Sequence, residues 1–141
     1  MKISDHINFI ESYKSQSAER LGINNMPPDG VIPSMQLVAN KCFEPIRAHF
    51  NIPIGISSFY RCDELNKKIK GAKNSQHVKG EAIDIDADIF GGVTNADIFE
   101  WAKNNLIFDQ LIWEFGNDKN PAWVHISYSS KKNRQQVIKI V

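Results

Sequence analysis

Apolar residues recur at helical spacing near the start of the chain. Ile7, Ile10, Tyr13 or Lys14, and Ala18 form one stripe, which predicts a helix over residues 4–21 with Ser4 as its cap and Gly22 as its stop. Residues 24–30 are a loop by composition. A second stripe, Met35, Val38, Cys42, Phe43 and Ile46, predicts a helix from Ser34, and Pro45 inside it predicts a kink or a break. The pattern then changes period. Residues 52–57 alternate as a short strand, Asp63 caps a helix over 64–70 stopped by Gly71, and residues 81–86 alternate again. Thr94 with Asp97 has the spacing of a capping box opening a helix to about Asn104. Residues 109–115 and 123–128 read as paired strands joined by the turn-rich stretch 116–121, and residues 136–141 as an edge strand. Helices first, then strands mixed with two short helices, predict an α+β fold. The expectation is a single domain over residues 1–141, helical to about residue 50, with a small, mainly antiparallel sheet after it.

Composition narrows the function classes. The 141 residues are enough for one buried core, and a net charge of +1 supplies no strong attraction to nucleic acid or an anionic membrane. No apolar run approaches a membrane span, and Lys2, Ser4 and Asp5 interrupt any signal-like stretch, so synthesis in the cytoplasm is expected. Cys42 and Cys62 lack the spacing of a zinc or redox pair and read as reduced, structural thiols, Cys42 buried on a helix.

The chemistry concentrates in Ser75-Gln76-His77-Val78-Lys79-Gly80-Glu81-Ala82-Ile83-Asp84-Ile85-Asp86 and Trp123-Val124-His125-Ile126-Ser127. Two imidazoles and a carboxylate, His77, His125 and Asp84, make three ligands and leave a fourth position on zinc for water, which separates a catalytic site from a structural one. Strand alternation places Ala82, Asp84 and Asp86 on one face with Ile83 and Ile85 on the other, and groups Trp123, His125 and Ser127. A hydrolase of this kind also needs a carboxylate to move protons and a cation for the developing oxyanion. Glu114, in the apolar run Leu111-Ile112-Trp113-Glu114-Phe115, is the candidate for the first, and a register placing it beside His125 is plausible. Arg61, after the strand in Ser57-Ser58-Phe59-Tyr60-Arg61, is the candidate for the second. Asp86 reads as a support for one of the histidines or as a solvated carboxylate, His49 as a helix-end cation, and His6 as solvated.

These stretches, with Glu64-Leu65-Asn66 and Gly71-Ala72-Lys73-Asn74, resemble the M15 zinc peptidases, the D-alanyl-D-alanine carboxypeptidase-like family that also contains phage endolysins. The resemblance implies the fold of the Hedgehog and D-Ala-D-Ala peptidases. It also implies one catalytic zinc on His77, Asp84 and His125, with Arg61, Ser75 and Trp123 toward the substrate. The implied activity is hydrolysis of bacterial peptidoglycan stem peptides as a D-Ala-D-Ala carboxypeptidase or an L-Ala-D-Glu-type endopeptidase, by a monomer. A phage lytic enzyme released by a holin or carried in a virion fits the same picture. Two positions depart from relatives. Phe59 stands where many have glycine, a bulk expected to narrow the groove or alter how Arg61 is presented. Ala122 stands where some have the catalytic acid, which passes that role to Glu114. Two alternatives stay open: a non-catalytic metal-binding module for cell-wall peptides or a virion, and a metal-dependent amidase cutting the sugar–peptide bond.

Overall fold

A computed structural model describes residues 1–141. The first expected helix is mostly absent. Strands β1 (Lys2–Ser4) and β2 (Ile7–Asn8) form a small antiparallel hairpin, and only α1 (Gln16–Leu21) is helical. Tertiary contacts explain the difference. Ile3 and Ile7 are both buried in the core, and the Ser4 hydroxyl, the expected cap, instead donates to Glu44 Oε2 at 2.6 Å. The cap of α1 is Ser15, whose Oγ accepts from the Ala18 amide at 3.1 Å, and Gly22 closes the helix at φ 68°. His6 is not merely solvated either: its Nδ1 lies 2.6 Å from Glu44 Oε1. Burial raises the Glu44 carboxyl, but hydrogen bonds from Ser4 and His6 outweigh it and hold the group below its ordinary value.

Helices α2 (Ile32–Val38) and α3 (Glu44–Phe50) follow one path, joined by a π-helical turn over Ala39–Phe43. Pro45 cannot serve the carbonyl four residues before it, and the chain absorbs the defect by widening: the Glu44 amide reaches back five residues to Ala39 O. Cys42 sits in this turn, and burial pushes its thiol up to about 12. Cys62 is also unpaired and, in place of Asp63, caps α4 (Asp63–Lys68) by accepting from the Leu65 amide at 3.4 Å. Helix α5 (Asn95–Asn105) starts at Thr94, whose hydroxyl accepts from the Asp97 amide at 3.0 Å. His49, in the last turn of α3, stacks on Trp101 with ring centroids 4.5 Å apart. No helix is long and apolar enough to cross a membrane.

The main sheet runs β3-β4-β6-β5-β7, with β3 (Gly55–Ser58), β4 (Ala82–Asp86), β5 (Gln110–Glu114), β6 (Trp123–Ser127) and β7 (Gln136–Ile140). Its first four strands pair antiparallel, but β7 runs parallel to β5, so the sheet is mixed. The reason lies at the end of β6, which finishes beside the start of β5. There the amides of Gln135 and Gln136 bond to the carbonyls of Phe108 and Asp109, and the new strand must leave in the direction of β5. One face of the sheet, with Ile83, Ile85, Leu111, Trp113, Val124 and Ile126, is buried with Met35, Val38 and Ile46 of α2–α3 and Ile98 and Phe99 of α5. Each such side chain contributes about 1.5–3 kcal/mol. The opposite face carries Asp84, His125 and Glu114.

Candidate metal centre

Register brings the first two groups together. On β4 and β6 Asp84 stands directly opposite His125, and His125 Nδ1 lies 3.0 Å from Asp84 Oδ1. The third group arrives from the loop before β4. The Arg61 amide donates to His77 O at 3.2 Å, fastening that loop to the chain leaving β3. Gly80, at φ 71°, turns the loop back through its own amide bond to His77 O at 3.2 Å; a side chain there would meet Met35 as well as a strained backbone. Ser75 Oγ accepts from the His77 amide at 3.2 Å, so Ser75 shapes the loop that carries the imidazole.

The His77 ring is fixed at both ends. Nδ1 lies 2.6 Å from Phe59 O, and a carbonyl only accepts, so Nδ1 carries the proton and Nε2 faces the cluster. Nε2 then stands 3.2 Å from Asp84 Oδ2. A bare nitrogen lone pair and a carboxylate oxygen repel at that distance unless a proton or a cation lies between them. The candidate donor atoms of His77, Asp84 and His125 all lie within 4.8 Å of one another. Metal bonds of roughly 2.0–2.2 Å at tetrahedral angles put neighbouring ligand atoms about 3.3–3.6 Å apart, close to the 3.2 and 3.0 Å that separate Asp84 from His77 Nε2 and His125 Nδ1, so the donor set fits a divalent ion. Burial pushes the Asp84 carboxyl up, but the two neighbouring imidazoles, in their protonated form, outweigh it and hold the group far below the usual carboxylate range. Asp84 therefore stays anionic, the form a metal ligand needs.

Glu114 shares this face. Its register partner is Trp123, while Ile112 stands opposite His125, so Glu114 sits one same-face step along β5 rather than beside His125. Burial and the Asp84 charge raise its carboxyl, opposed by His125 and His77. Arg61 is half-buried, with burial lowering its guanidinium against the Asp84 charge. It is held by Asn66, whose Oδ1 accepts from Nη1 at 2.9 Å and whose Nδ2 donates to Ala72 O at 2.9 Å. Gly71 makes room for that pair: a Cβ there would stand 2.1 Å from Asn66 Oδ1.

Two expectations change, and Ala122 gains a role. The Phe59 ring is buried in the core and does not narrow a groove; its carbonyl positions His77 instead. Asp86 supports neither histidine, since its Oδ1 accepts from the Asp88 amide and Asn95 Nδ2 at the end of β4. The Ala122 amide donates to Glu114 O at 2.9 Å, which leaves Ala122 a backbone role in holding Glu114. Residue types alone missed Asn66 and the pair Gln76–Asp109. Gln76 Nε2 donates to Asp109 Oδ2 at 2.9 Å, pinning the residue next to His77. Asn66 was visible as part of a motif, but Asp109 gave no signal beyond opening a strand.

Among curated proteins no sequence matches this chain. The family model described as Peptidase M15 matches residues 6–127, a span that includes all three candidate ligands, Arg61 and Glu114 and stops before β7. With that match over most of its length, the chain belongs to the Peptidase M15 family.

Proposed function

We propose that this peptidase is zinc-dependent and hydrolyses peptide bonds in bacterial peptidoglycan stem peptides. The observation that carries the reading is the convergence of His77 Nε2, Asp84 and His125 Nδ1 on the face that also bears Glu114. His77, Asp84 and His125 would hold the ion, which supplies Lewis acidity toward water and the scissile carbonyl. Glu114 takes a proton from the attacking water and returns it to the leaving amine. Burial raises its carboxyl, the direction that favours a group which must hold the proton before returning it. Arg61, braced by Asn66, offers its charge to the developing oxyanion or to a substrate carboxylate. Ser75 keeps the His77 loop in shape, and Trp123 lies beside Glu114 where substrate passes.

The test is digestion of purified peptidoglycan with and without chelator, with products identified by mass spectrometry. Chelator-sensitive release of peptide fragments or D-amino acids supports the reading. Glu114→Gln should lower the rate by about 10²-fold or more while keeping its metal. Release of a free lactyl carboxylate instead would make the enzyme an amidase, and bound metal with no product from any wall would leave a binding module.

A further inference from the structure

The end of β5 breaks the strand's alternation in a way the proposed mechanism does not use. Trp113 points into the core and is 3 % exposed, and Glu114 points to the metal face. A regular strand would return Phe115 to the core side. Phe115 instead takes φ 58°, a left-handed conformation that bulky residues rarely adopt. The turn lays its ring against Trp123, with centroids 5.4 Å apart and planes at 62°. Trp123 shares a face with His125 and stands opposite Glu114 in register. The outcome is an aromatic pair flanking Glu114, with Phe115 49 % exposed, two strand positions (roughly 7 Å) along from His125.

The left-handed turn at Phe115 thus displays the ring beside Glu114 and Trp123, as an apolar wall next to the proposed reacting groups. We infer that Phe115 and Trp123 form one wall of a subsite for the alkyl side chain of a substrate residue next to the scissile bond, with Phe115 as a specificity-determining residue. The inference rests on the reading of the cluster as the peptide-cleaving centre. The occupant follows from chemistry: a peptidase must seat side chains on either side of the bond it cuts, and the carbon surface of this edge-to-face pair is matched by a small aliphatic group.

The test compares wild type with Phe115→Asn and Phe115→Trp on peptidoglycan and on a mixed library of L- and D-alkyl peptides, alongside thermal melts. Asparagine accepts the left-handed backbone, so Phe115→Asn should melt at or near the wild-type temperature. Its KM should rise about tenfold, with lost preference for alkyl residues at one position. Phe115→Trp should restore both. A Phe115→Asn protein that melts lower but keeps wild-type KM and preference overturns the inference and makes the pair a structural brace. Failure of Phe115→Trp to restore the preference overturns it too. Absence of wall cleavage by wild type removes the stem-peptide reading alone, because the library still reads the preference.

Discussion

His77 reaches the candidate metal cluster through Phe59: the imidazole Nδ1 lies 2.6 Å from the Phe59 carbonyl, and that bond turns Nε2 toward Asp84. The residue whose bulk looked like an obstacle supplies the acceptor that fixes the tautomer. Its side chain and its backbone therefore have separable roles.

Phe59→Leu keeps the carbonyl and trims the buried ring. Unfolding in urea should show a loss of about 1–2 kcal/mol, while zinc affinity of the folded protein stays at the wild-type level. A tenfold loss of zinc affinity with unchanged stability would mean the ring itself shapes the site.

Asn66→Ala removes the brace on Arg61 and one of the two donors to the Ala72 carbonyl, which keeps the Ser75 amide. A loss of about 1–3 kcal/mol of positioning translates to roughly 5- to 150-fold in kcat/KM, with zinc content unchanged. Gly71→Ala should act in the same direction by crowding Asn66. Steady-state kinetics beside metal analysis checks both, and full activity in either variant would remove Arg61 from the mechanism.

Acid stability should carry the signature of Asp109. Hydrogen bonds from Arg134, at 2.9 Å from Nε and 2.8 Å from Nη2, outweigh burial and hold its carboxyl at about 2, against 3.8 for an ordinary aspartate. A carboxyl depressed in the folded state binds fewer protons there than in the unfolded chain, so it stabilises above the ordinary value. That contribution should fade as pH falls from about 4 to about 2 and stay constant above. Chemical denaturation across this range should show a flatter profile for Asp109→Asn. Equal slopes for the two proteins would contradict the assignment.

The sheet strands and the clustering of the candidate ligands were legible because each rests on local signals: alternation for β4 and β6, residue type and spacing for His77, Asp84 and His125. The N-terminal hairpin was not. Its residues carry a helical stripe, and what prevents the helix is Glu44, some forty positions away, engaging Ser4 and His6. Register was equally out of reach, since whether Glu114 faces His125 or Trp123 depends on how 116–121 turns. The parallel course of β7 follows from amide bonds to Phe108 and Asp109 that no pattern in residues 136–141 announces. The carbonyl of Phe59 illustrates the deepest limit, because a backbone acceptor is the same atom in every residue.

Calorimetric titration of metal-free protein with zinc tests the metal centre most directly, with wild type beside His77→Ala and Asp84→Ala. Wild type should bind one equivalent, and either variant none or with affinity weakened by orders of magnitude, with circular dichroism showing all three folded. Zinc uptake by wild type that the two substitutions leave unchanged would contradict that expectation, as would no uptake at all.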